Sequence, residues 1–90
     1  MKKAYLLQCV YEEGSAFELD IDNHLFADIE LAKDELEIST EETYNEFMHK
    51  FPDEEITVEW SDDHTRATVS REDELDTWTG KIIELNIRRK

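Results

Sequence analysis

The run Lys81-Ile82-Ile83-Glu84-Leu85-Asn86-Ile87 is the densest apolar stretch of the chain, and its period-two pattern restricts the fold more than any other feature. Ile83, Leu85 and Ile87 fall on one face and Ile82 on the other. That pattern predicts a strand with one wholly buried face and one partly covered face. The rest of the fold is expected to assemble around it.

Alternation recurs along the chain. In residues 4–11, Tyr5, Leu7, Cys9 and Tyr11 share one face while Ala4, Leu6 and Val10 share the other. Apolar residues on both faces predict an interior strand. Glu12-Glu13-Gly14-Ser15 breaks the pattern, with Gly14 supplying the turn. Phe17, Leu19 and Ile21 then alternate with Glu18, Asp20 and Asp22, the cleanest half-buried pattern in the sequence, and should pair with the first strand as a hairpin. A second hairpin is predicted from Ile56, Val58 and Trp60, the turn Asp62-Asp63-His64, and a strand over 65–70 carrying Ala67 and Val69. Residues 72–76 form an acidic connection, and Trp78 leads through Gly80 into the closing strand.

The middle of the chain has helical periodicity. Asp28 is placed to cap a helix over 28–37 with Ile29, Ala32 and Leu36 inward. Ser39-Thr40-Glu41-Glu42 fits a capping box, which predicts a second helix carrying Tyr44, Phe47, Met48 and Phe51 and stopped by Pro52. The expected order is β-β-α-α-β-β-β, an α+β domain in which a small antiparallel sheet carries two helices on one face. A chain of 90 residues makes one such domain. Its 39% hydrophobic content suffices for a two-layer core, and two glycines and one proline argue against low-complexity disorder.

The opening Tyr5-Leu6-Leu7-Gln8-Cys9-Val10-Tyr11, then Leu25-Phe26-Ala27-Asp28 leading into Ile29-Glu30-Leu31-Ala32-Lys33, and the late Ile83-Glu84-Leu85-Asn86 resemble a pattern in small uncharacterised phage and bacterial proteins. These share a strand, a phenylalanine-then-alanine helix and a closing strand. The resemblance implies fold and a mobile-element setting, and carries over no catalytic residues.

Several function classes lose support at once. Met1-Lys2-Lys3 precedes an apolar run that breaks at Gln8 without a small-residue cleavage pattern, and no window approaches a membrane span, so no membrane partner is expected. The expected location is the cytoplasm, a host cell's if the chain is phage-encoded. The single cysteine, Cys9, cannot form an internal disulfide and reads as a small buried hydrophobe. Asp20-x-Asp22-x-His24 places three metal-binding side chains on one strand face, but the glycine and distal glutamate of a calcium loop are missing. His24, His49 and His64 lack zinc-site spacing. No nucleophile motif or phosphate loop is present, so neither an enzyme nor a cofactor is expected.

Charge is the informative feature. Residues 4–80 hold 23 of the 24 acidic residues and four of the ten basic ones, within a chain of net charge −14. Such a field repels nucleic acid and anionic lipid and speeds encounter with basic partners. Glu18, Asp20 and Asp22 stand on one strand face roughly 7 Å apart, close to the spacing of successive phosphates on one strand. Glu30, Asp34 and Glu37, and Glu42 and Glu46, form rows at helical spacing. Glu54, Glu55, Asp62, Asp63, Glu72, Asp73, Glu74 and Asp76 extend the negative surface. This composition is that of acidic nucleic-acid mimics of the anti-CRISPR or anti-restriction kind. It predicts a non-enzymatic inhibitor of a basic nucleic-acid-binding protein or complex, with no direct contact to nucleic acid. The alternative is an adaptor that binds through an aromatic or sheet-edge surface, Trp60 or Trp78 being candidate anchors, with charge serving solubility. The oligomeric state is left open, a dimer included.

Overall fold

The computed structural model describes residues 2–14, 18–72 and 76–87, with the side chain of Glu18 excepted. The elements are β1 (Lys2–Glu13), β2 (Glu18–Phe26), α1 (Ile29–Lys50), β3 (Thr57–Trp60), β4 (Arg66–Ser70) and β5 (Asp76–Ile87). All pairings are antiparallel, in the order β2-β1-β5-β4-β3. The closing strand therefore lies at the centre of the sheet, as its apolar density predicts, and β1 is interior. Both expected hairpins form. β5 starts earlier than expected, at Asp76, which places Trp78 within the strand and 6% exposed.

One helix replaces the expected two. Asp28 caps it, its Oδ1 accepting from the Glu30 N–H at 2.8 Å, and it runs unbroken to Lys50, just before Phe51 and Pro52. The capping box at Ser39 does not operate. The Thr40 hydroxyl donates to the Leu36 carbonyl at 2.6 Å and the Thr43 hydroxyl to the Ser39 carbonyl at 2.7 Å, both bonds of a helix interior. Continuity is favoured because the inward stripe Ala32, Leu36, Thr40 and Phe47 keeps one register only on a single helix.

The strand register places Leu7, Trp78, Val69 and Val58 on the face that α1 covers. Leu7, Leu36, Phe47 and Val69 are fully buried there, each stabilising by about 1.5–3 kcal/mol. Phe47 meets Tyr11 and Phe51 edge-on at centroid distances of 5.7 and 5.9 Å. Gly80 sits beneath the helix: a Cβ there would lie 2.6 Å from Leu36 Cδ1 and 2.7 Å from the Trp78 ring. Bare backbone at this point lets α1 approach the sheet.

Two expectations about sidedness are overturned. Ile83, Leu85 and Ile87 face away from the helix, whereas Ile82, opposite Leu7, packs against the core. Leu19 and Ile21 share that open face and are 62% and 54% exposed. Alternation distinguishes two faces of a strand without saying which one a lone helix covers. Phe17, grouped with Leu19 and Ile21 by pattern, lies outside the described residues.

Candidate interaction surface

The sheet is five strands wide and α1 covers its middle, leaving a groove on each flank. On the β2 side, Asp20 and Asp22 stand opposite Tyr11 and Cys9 in register and project toward the helix. They line a groove of about 330 Å³ with Glu13, Glu46, Lys50 and Tyr11. Lys50 lies 5.8 Å from the Tyr11 ring centroid. Burial, then the charges of Asp22 and Glu35, push the Cys9 thiol up to about 11. At neutral pH it is therefore protonated and a poor nucleophile.

On the β3 side, Glu37, Thr40, Glu41, Tyr44, Val58 and Trp60 line a groove of about 490 Å³. It adjoins a second hollow of about 350 Å³ walled by Glu30, Asp34, Glu37, Trp60 and His64, with Lys33 among the acids. Trp60 is 36% exposed and its ring lies 5.3 Å from that of His64. Of the two tryptophans, Trp78 is core and Trp60 leaves part of its ring exposed.

The acids expected to form the contact are not brought together as one row. Glu18 stands in register with Glu13 at the start of β2. Asp62 and Asp63 occupy the β3–β4 turn, where His64 takes a positive φ of 58°. Hydrogen bonds from the Thr65 and Ser61 hydroxyls and the Thr65 N–H hold the exposed Asp63 carboxyl down at about 2. Asp63 thus organises the turn as well as adding charge. Glu55 and Glu72 are exposed, with the Glu55 N–H 3.5 Å from a Glu72 oxygen. Asp73 and Glu74 lie outside the described residues.

Two of the expected contact residues are engaged within the chain instead, Asp76 buried and Glu54 half-buried. Asp76 is 4% exposed; its Oδ2 accepts from the Tyr11 hydroxyl at 3.1 Å, and its Oδ1 lies 3.7 Å from the Arg71 guanidinium. Glu54 receives three close contacts from Arg71, at 3.2, 3.0 and 2.6 Å. Arg71 also stacks on Phe51, 3.9 Å from the ring centroid. Glu54 and Asp76 are thus partners of an internal cation, and Asp76 is not a surface charge.

The helix supplies acids that the expected contact set lacks. Glu30, Asp34, Glu37 and Glu41 form one continuous row on the β3 flank. Glu35, Glu42 and Glu46 follow the β2 flank. Glu30, Asp34 and Glu37 were already legible as a row; its extension to Glu41 depends on the helix running unbroken past Ser39. Among the described residues, no three His, Cys, Asp or Glu side chains converge as a metal-binding group, and no helix is long and apolar enough to cross a membrane. No family model, curated protein or solved structure matches the chain.

Proposed function

We propose that this chain is a non-enzymatic acidic protein that occupies the nucleic-acid groove of a basic protein and blocks it, in the manner of an anti-CRISPR or anti-restriction inhibitor. The observation that supports this reading is the segregation of charge. Both flanks of α1 carry carboxylate rows, and Asp20 and Asp22 face one of them across a groove. On the opposite sheet face the only described acids are Glu12 and Glu59, with Lys2, Arg66 and Lys81 beside them.

The spacing is compatible with the role. Successive carboxylates in a helical row advance roughly 4.5–6 Å along the axis. The molecule measures 52 Å along its longest dimension, the length of roughly 15 base pairs at about 3.4 Å each. Trp60, beside Glu37 and Glu41, adds a ring on which an arginine of the target can stack.

The test starts with affinity purification from a lysate at low salt, the retained basic protein being identified by mass spectrometry. Its binding to wild type and to an Asp20→Lys/Asp22→Lys/Glu46→Lys variant is then measured at two salt concentrations. Wild-type affinity should fall steeply with salt, and the variant should lose orders of magnitude at low salt. Retention of nothing basic, or unchanged affinity in the folded variant, overturns the reading. An adaptor role gains support from the exposed aliphatic side chains of the uncovered sheet face, whose binding would not weaken with salt.

A further inference from the structure

We infer that the uncovered face of β2, β1 and β5 is a homodimer interface, on which a second copy of this chain packs sheet against sheet. Leu19, Ile21 and Leu25 on β2 are 62%, 54% and 68% exposed, and Leu85 and Ile87 on β5 are 37% and 48% exposed. With Ile83 they occupy one side of the sheet, opposite the helix. The two clearest alternating patterns in the sequence therefore direct their apolar side chains to a surface that the single chain leaves bare. Alternation of this kind marks a face that is covered in the working protein.

Charge selects the occupant. A copy of net charge −14 is repelled by the carboxylate rows beside the helix, but not here. Among described residues, the charged groups on this face of the three strands are Lys2, Glu12 and Lys81, and the face is apolar enough to complement itself. In the polar row that crosses it, Gln8 and Asn23 are paired within the chain, Gln8 Nε2 donating to Asn23 Oδ1 at 3.2 Å. A target-binding groove for a basic protein needs rows of acid, whereas Glu12 is the one described acid on this face of the three strands, so the inference does not depend on the decoy reading.

Area agrees. Three strands about 4.8 Å apart and nine to twelve residues long present roughly 500 Å² in projection. Two copies then bury roughly 1,000 Å², about the lower bound for a specific interface, and roughly 500 Å² per copy is the size of patch that on a monomer is often functional. Aligned packing of two sheets about 10 Å apart is the geometry such a face accepts.

Sedimentation equilibrium of the full chain from about 5 to 500 μM tests this, since a modest interface dissociates in that range. The mass should rise from 10.7 kDa toward twice that value, and higher salt should strengthen the association by screening repulsion between the acidic flanks. Ile21→Glu with Leu25→Glu, both exposed in the single chain, should keep the circular dichroism spectrum and hold the mass at 10.7 kDa throughout. Trp60→Ala, on the helix side, should dimerise as wild type does. A wild-type monomer at every concentration overturns the inference. So does a dimer that persists in the double variant, or one that is lost in Trp60→Ala.

Discussion

The Tyr11 hydroxyl donates to Oδ2 of Asp76 across 3.1 Å, tying the end of β1 to the start of β5 at a carboxylate almost closed to solvent. Burial, reinforced by the Asp76 charge, pushes the phenol up to about 12 from 10.0. The fold thus favours protonated Tyr11. That contribution is complete below pH 10 and is lost as pH rises from 10 toward about 12. Tyr11→Phe should cost about 1–3 kcal/mol at neutral pH, because a buried acceptor loses its donor. Urea unfolding at several pH values should show the gap between wild type and variant closing over the same alkaline window. A gap that stays constant through it would contradict the assignment.

Arg71 serves two carboxylates at once. Arg71→Met retains much of the stem that packs on Phe51 but leaves Asp76 and Glu54 without their shared cation. The expected loss is about 2–4 kcal/mol, below that of a fully buried pair because Glu54 keeps some solvent contact. Arg71→Lys should recover only part of it, since an ammonium cannot reproduce the forked contact. Thermal melts followed by circular dichroism measure both. Asp76→Lys should unfold the domain, whereas Asp20→Lys with Asp22→Lys should not, so only the second is a fair probe of binding.

Ser39 distinguishes one helix from two. A cap residue replaced by alanine costs about 1 kcal/mol. In a helix interior the same change is neutral or stabilising by a few tenths of a kcal/mol. Ser39→Ala should follow the interior pattern in chemical denaturation, and a loss near the cap value would count against the continuous α1.

The strands were legible because period-two alternation survives in each of them, and the central place of β5 followed from its apolar density. The helix was half legible. Asp28 and Pro52 mark its ends, but Ser39-Thr40-Glu41-Glu42 satisfies a cap and a helix interior equally well, and only the burial of Thr40 against the sheet decides between them. Sidedness was not legible. Leu7, Cys9 and Tyr11 make a less regular apolar row than Ile83, Leu85 and Ile87, yet the helix sits on the former.

The candidate surface was legible as acid and illegible as geometry. Alternation puts Asp20 and Asp22 on one strand face, but does not reveal that this face is the helix side, and Glu46, across the groove from them, comes from another element. The withdrawal of Glu54 into the Arg71 contact spans 17 residues, and no local pattern announces it. Trp60 and Trp78 occupy equivalent strand patterns. Their difference arises because Trp78 lies on the central strand under α1 and Trp60 on an edge.

Gly80 sets the height at which α1 rides above the sheet, and so the depth of the hollows on either side of it. Carboxylates along the flanks can be exchanged one by one as a target changes, each substitution altering the walls slightly. The floor has no such gradation, because the smallest addition to Gly80, a single methyl, already meets Leu36 and Trp78. On the function proposed above, the walls can vary with the target while the height of the helix stays where a hydrogen atom put it.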